Sequence, residues 1–188
     1  MGKITVETCE IEGLKVITPA VFGDERGYFM ETYNYNDYKA AGIDMEFVQD
    51  NQSSSRKGVL RGLHFQINHP QDKLVRVISG EVFDVAVDLR EGSETFGKWF
   101  GVYLSAENKK QFFIPKNFAH EFIVLSEHAE FAYKCTDFYH PNDEGGIAWN
   151  DSEIAVKWPI PDGMTEADLI ISEKDQRWAG LQEYREKR

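Results

Sequence analysis

Two cysteines stand in 188 residues, Cys9 and Cys135. They lie far apart and neither sits in a CxxC pair, so they supply neither a disulfide framework nor a zinc site; both read as small core or strand residues. No apolar run approaches the roughly 18 residues that a membrane helix needs. The N-terminus has neither the charged, apolar and small-residue pattern of a signal peptide nor a lipidation motif, so the expected compartment is the cytoplasm. Positive charge is scarce: 21 lysines and arginines against 32 acids leave a formal net charge of -11, with a pI near 4.9. A chain without a basic face is a poor competitor for the counterions of nucleic acid or of an anionic membrane, which argues against both as partners. Any phosphate-bearing ligand must then be met by a local cluster of arginine and lysine. No repeat, low-complexity tract or Pro/Ser-rich linker divides the chain, and its length suits one core, so residues 1–188 read as one domain.

What is present points to β structure. Hydrophobic residues make up 41% and aromatics 13%, enough apolar surface to offset chain entropy. Short β-branched and aromatic runs bounded by turn residues recur at 14–18, 28–33, 74–78, 81–89, 99–104, 111–114, 120–125 and 130–136. That spacing predicts a sandwich or barrel. LVRVI-SG-EVFDVAVDL reads as a hairpin turning on Ser79-Gly80, with Val82, Asp84, Ala86 and Asp88 on one face and Phe83, Val85, Val87 and Leu89 on the other. On this reading one face is core and the other carries the acids. Helix signals are few: Asn36 as the cap of a piece over 37–41, a turn in ENKK after Ser105, and a turn at Thr165-Glu166-Ala167-Asp168. QEYREKR at the end reads as a solvated terminus.

Among five histidines, His69, His128 and His140 occupy loop or turn contexts. His64 in LHF and His120 in FAHEF lie in apolar stretches, where an imidazole costs free energy unless its nitrogens find partners. A satisfied core histidine is the simplest reading of either alone. Arg61, three residues before His64, and Lys73 in QDKLVRV argue for more, because such cations are rarely buried without a partner. Strand alternation turns residues an odd number apart to opposite faces, so Arg61 and His64 share a cavity only if Gly62 permits a bulge.

PKNFAH is similar to the second sequence motif of the cupin superfamily, whose double-stranded β-helix often holds a metal. The first cupin motif pairs two histidines as HxH with a glutamate ahead of a glycine. Here the matching stretch is His64-Phe65-Gln66, then Lys73 before Gly80. Gln66 replaces a ligand and Lys73 replaces the carboxylate with a positive charge, which points to an anion or oxyanion in place of a metal.

The segments FGDERGYFMETY (22–33), FVQDNQSSSRKGVLRGLHFQ (47–66), QDKLVRVISGEVFDVAVDLR (71–90), FFIPKNFAHEF (112–122), YKCTDFYHPNDEGGIAWND (133–151) and ISEKD (171–175) together resemble the dTDP-4-dehydrorhamnose 3,5-epimerase family. The resemblance implies an all-β, cupin-like double-stranded β-helix (jelly roll). It also implies inversion of carbons 3 and 5 of a dTDP-4-keto-6-deoxy sugar, without cofactor or metal, on the route to dTDP-L-rhamnose. A 4-keto group acidifies the neighbouring C–H bonds, so the chemistry needs a base, an acid and a positive charge beside the developing enolate oxygen. By resemblance His64 is the base, since imidazoles titrate at about 6.5 in model peptides. Asp175 orients it, Tyr133 is the acid and Lys73 stabilises the enolate.

The residues implied to bind substrate are Arg26, Phe29, Glu31, Gln49, Asp50, Asn51, Arg61, Lys73, His120, Tyr139, Glu144 and Lys174. Arg61 suits pyrophosphate because a guanidinium presents paired donors, and Phe29 and Tyr139 suit the thymine or the core equally. The resemblance also implies a homodimer in which an early strand crosses to the partner's site. Glu121 stands where glycine is implied, beside His120, with its side chain expected to point away. The rivals are a one-carbon epimerase of a related dTDP-keto sugar, a metal-dependent cupin and a catalytically silent sugar-nucleotide-binding domain.

Overall fold

The β-branched and aromatic runs form strands, but their partners are not the ones that adjacency suggests. A computed structural model describes residues 3–187. In chain order its strands begin β1 (Ile4–Thr8), β2 (Lys15–Pro19), β3 (Val21–Asp24), β4 (Gly27–Met30), β5 (Gln49–Arg56), β6 (Val59–Gln66) and β7 (Lys73–Ser79). They continue β8 (Glu81–Asp88), β9 (Trp99–Ser105), β10 (Gln111–Ile114), β11 (Phe118–Val124), β12 (His128–Cys135), β13 (Glu144–Gly146) and β14 (Ile170–Ile171). One sheet runs β1-β2-β10-β7-β12-β5 and the other β13-β6-β11-β8-β9, with β14 parallel to β6; among the described residues β3 and β4 pair only with each other. The fold is all-β and cupin-like.

Three apolar layers hold it. Between the sheets, Val75 and Val77 of β7, Phe112 of β10 and Phe131 of β12 pack against Val82 and Ala86 of β8 and Phe118 and Phe122 of β11. Outside the second sheet, Leu63, Val85, Val87, Ala119 and Ile123 lie under Ile147, Ile154 and Leu181 of the C-terminal segment. Outside the first, Ile17, Leu74 and Phe113 are covered by Tyr38 and Ile43. Fully burying each such aliphatic or aromatic side chain contributes about 1.5–3 kcal/mol.

Four local expectations are revised. Ser79-Gly80 does not close a hairpin: β7 pairs with β10 and β12, whereas β8 pairs with β11 and β9, so the turn passes the chain from one sheet to the other. Gly80 is needed there, at φ +78°, because a Cβ would come within 2.0 Å of the His128 carbonyl oxygen. The acids of β8 do not face solvent, since both faces of this strand lie under an apolar layer and Asp84 and Asp88 are buried.

The helix α1 (Tyr35–Ala40) is capped by Asn34, not Asn36; the extended Asn34 accepts the Asn36 N–H at 3.1 Å. The C-terminal stretch forms α2 (Leu181–Glu186), anchored by buried Leu181 and by Tyr184 edge-on to Phe65. ENKK makes one turn closed by Lys109 N–H to the Ser105 carbonyl, and Glu166–Asp168 is a 3-10 turn inside a Thr165/Asp168 capping box. Neither helix has the length or apolarity to cross a membrane.

Candidate active site

Along β11 the pairing with β6 runs Phe122 to Arg61 but His120 to His64, so β6 holds one extra residue, a bulge. Gly62, at φ +141°, makes it; a Cβ there would come within 2.4 Å of the His120 carbonyl oxygen and 2.5 Å of the Glu121 Cβ. The bulge turns Arg61 and His64 to one cavity of about 800 Å³, walled by both sheets and by residues 170–175.

On the β6 wall, His64 Nε2 lies 2.6 Å from Asp175 Oδ1. The carboxylate only accepts, so Nε2 carries the proton and Nδ1 is left as the basic nitrogen. Nδ1 lies 3.8 Å from Glu144 Oε1. Asp175 is 4% exposed and stands in the 3-10 turn Asp175–Arg177. Its backbone N–H is bound to Ser172 Oγ at 3.1 Å, and Trp178 Nε1–H approaches its Oδ1 at 3.4 Å. Burial pushes the Asp175 carboxyl up, but hydrogen bonding and charge from His64, with Ser172 and Trp178, outweigh it and hold the group below its ordinary range.

The facing wall comes from the first sheet. Lys73 of β7 pairs in register with Cys135 of β12, and Tyr133 follows two residues from Cys135 on the same strand. Both line the cavity. Protein atoms crowd the Lys73 ammonium, and this burial lowers its pKa against the opposing pull of Cys135, Asp84 and Glu144. Among the described residues no carboxylate forms an ion pair with it, which leaves a cation directed at the cavity. Burial raises the Tyr133 phenol, so it stays protonated at neutral pH.

His120 of β11 binds both oxygens of Asp84 at 2.9 Å through Nε2. Burial pushes Asp84 up and His120 down, which disfavours a fully separated ion pair. Arg61 Nε is held by Ser55 Oγ at 3.1 Å, and Lys174 binds Glu144 at 2.7 Å.

Of the residues expected from sequence, His64, Tyr133, Asp175, Lys73, Asn51, Arg61, His120 and Lys174 line this cavity. Gln49, Tyr139 and Glu144 line an adjoining lobe of about 270 Å³ that shares Asn51, His64, Lys73 and Tyr133 with it. Asp50 faces away, as a neighbour on a strand does, and pairs with Lys134 at 2.9 Å. Arg26 and Phe29 stand exposed on the β3-β4 hairpin, where Arg26 pairs with Asp24, and Glu31 follows that hairpin with a buried Oε2 that has no hydrogen-bond partner among the described residues. None of these three reaches this chain's own cavity.

Asp84, Ser172, Trp178 and the side-chain role of Gln66 were missed. Asp84 had a signal: it alternates with Val82 and Ala86, both apolar, and so belongs to the inner face. Gln66 and Lys73 do not suit a metal at the cupin position, because the Gln66 amide is engaged by three backbone groups and Lys73 contributes a positive charge.

A cupin-like barrel with an oriented imidazole on one wall, and on the other a phenol and an ammonium that no carboxylate pairs with among the described residues, holds side chains able to take a proton from a bound molecule and to return one. That is the chemistry of an isomerase. A family model described as dTDP-4-dehydrorhamnose 3,5-epimerase matches residues 8–183. The dTDP-4-dehydrorhamnose 3,5-epimerase of Methanothermobacter thermautotrophicus is 55% identical over 173 residues, covering 92% of each chain. That of Escherichia coli is 54% identical over 176 residues, covering 93% of this chain and 92% of the relative. The crystal structure of a dTDP-6-deoxy-D-glucose-3,5-epimerase from Legionella pneumophila, in complex with dTDP-4-keto-L-rhamnose, superposes with a TM-score of 0.90 at 51% identity, covering 95% of this chain and 93% of that one. The chain belongs to the dTDP-4-dehydrorhamnose 3,5-epimerase family and is an isomerase.

Proposed function

We propose that the enzyme epimerises carbons 3 and 5 of dTDP-4-dehydro-6-deoxy-D-glucose to give dTDP-4-dehydro-L-rhamnose, for dTDP-L-rhamnose synthesis in the cytoplasm, with no cofactor or metal. The observation that carries this reading is the placement of His64 and Tyr133 on opposite sheets, facing one cavity. A sugar lying between them meets a base on one face and an acid on the other, which is what inversion requires.

His64 Nδ1 removes the proton from the carbon beside the 4-keto group, and Asp175 stabilises the resulting imidazolium. The electron pair moves into an enolate whose oxygen faces the Lys73 ammonium. Tyr133 returns a proton to the same carbon from the opposite side. His64 then loses its proton to solvent and the Tyr133 phenolate takes one up, which resets the pair for the same steps at the second carbon. Arg61 and Lys174 meet the pyrophosphate, and Gln49, Asn51, Glu144 and Tyr139 hold the sugar and nucleotide; His120, fixed by Asp84, borders the sugar.

Arg26, Phe29 and Glu31 act in the partner's site of a homodimer. Among the described residues the β3-β4 hairpin pairs with no other strand, and it exposes Val21, Phe22, Tyr28 and Phe29 together, which supports its crossing to a second copy. The test is to incubate metal-stripped protein with dTDP-4-keto-6-deoxy-D-glucose in deuterated water and locate the label by NMR. Deuterium at both carbons with formation of the L-sugar is expected. Label at one carbon alone would make it a mono-epimerase, and no exchange over hours at high enzyme would overturn the reading for this substrate and turn to other keto sugars and to a metal-dependent cupin.

A further inference from the structure

Gln66 occupies the position where the cupin pattern has its second histidine, and it is buried, at 7% exposure. Its Nε2 donates to the His69 carbonyl at 2.7 Å and to the Phe138 carbonyl at 3.1 Å, while its Oε1 accepts the His140 N–H at 2.7 Å. Between Phe138 and His140 lies Tyr139, whose own N–H is taken by Gln49 Oε1 at 3.0 Å. Three consecutive residues of a loop therefore each have a backbone group fixed by a glutamine.

Tyr139 is 52% exposed, so core packing does not hold it. Both N–H donors of Gln66 are engaged, so none is free for a ligand. A primary amide is the neutral side chain that offers two donors and an acceptor together; a histidine offers at most one of each, and an ionised glutamate offers no donor.

We propose that Gln66 is a positioning residue that fixes Tyr139 at the nucleotide end of the cavity by clamping the peptides on either side of it. This rests on the reading of Tyr139 as a contact to the base of the dTDP moiety. A loop already ordered does not have to be ordered on binding, so the clamp acts on affinity and leaves proton transfer untouched.

The test compares wild type with Gln66→Ala, Gln66→Glu, Tyr139→Ala and the Gln66→Ala/Tyr139→Ala pair, reading kcat and KM together with dTDP affinity by calorimetry. Stacking of a base on an aromatic ring is worth enough that Gln66→Ala should raise both KM and the dTDP Kd about tenfold, with kcat within roughly threefold. The double variant should bind dTDP no worse than Tyr139→Ala alone. A fall in kcat with KM and Kd unchanged, or full additivity of the two substitutions, overturns the proposal.

Should Gln66→Ala fail to fold, Gln66→Glu decides. Its carboxyl regains a donor when protonated, so its dTDP Kd relative to wild type should improve on acidification. A ratio that does not move with pH overturns the clamp. A wild type that turns over no keto sugar sinks the functional reading and leaves the dTDP ratios to decide the role of Gln66; a wild type that binds no dTDP overturns both.

Discussion

Glu121 is the residue whose replacement tests the packing of this barrel most directly. It alternates on β11 with Ala119 and Ile123, which face the apolar layer under the C-terminal segment. It is 0% exposed, and neither carboxyl oxygen has a hydrogen-bond partner among the described residues. Burial, reinforced by the Asp175 charge, raises its pKa well above the ordinary 4.5. Replacing Glu121 with Met, which is unbranched and of similar length, removes an unsatisfied polar group worth about 1–3 kcal/mol.

A second contribution depends on pH. Below pH 4.5 the carboxyl is protonated in both folded and unfolded chains and adds nothing. Above it the unfolded chain ionises and the folded one does not, so wild-type stability falls by about 1.4 kcal/mol per pH unit until the raised folded pKa is reached. Glu121→Met should therefore raise Tm by on the order of 5 °C at pH 5, at about 2–4 °C per kcal/mol for a chain of this size, and by more at pH 7. The assay is thermal unfolding of both proteins by circular dichroism from pH 4 to 8. A Tm that is unchanged or lower, or a gain that does not grow with pH, refutes the reasoning.

Asp175→Asn should leave the fold intact but lower kcat by roughly three to four orders of magnitude, because an amide N–H facing His64 forces the wrong tautomer; steady-state kinetics at neutral pH checks this. Tyr133→Phe should lower epimerisation at least about 100-fold while His64 still exchanges a substrate proton with solvent, so NMR in deuterated water should separate label exchange from inversion. Asp88 is buried, but hydrogen bonds from Arg90, Ser93 and Thr95 outweigh that burial and hold it down to about 2. Its contribution, on the order of 2 kcal/mol, is present above pH 4 and lost between pH 4 and 2, so Asp88→Asn should lower Tm at neutral pH and flatten acid unfolding over that window.

Much of the candidate site is legible in the sequence. Arg61 and His64 could share a cavity only through a bulge at Gly62, and the β6-β11 register contains that bulge. The resemblance brought His64, Lys73, Tyr133 and Asp175 forward, and all four line one cavity. Alternation sets Asp84 on the face opposite Phe83 and Val85 but does not say what covers either face, and both turn out to lie under apolar layers.

By itself the sequence determined what is local: the strand runs, the positive-φ glycines and the chemical types available. Tertiary structure decided what is not local. The Ser79-Gly80 turn suits a hairpin as well as a crossing between sheets, and only the competition of β10, β11 and β12 for partners selects the crossing. The polar QDNQSSSR has weak strand propensity and becomes β5 because β12 offers it a full ladder. His64 and Asp175 lie 111 positions apart, and Tyr133 faces them from the other sheet. Side-chain period reports which way a residue points along its own strand, whereas the opposing wall of a barrel is set by which distant strand closes against it.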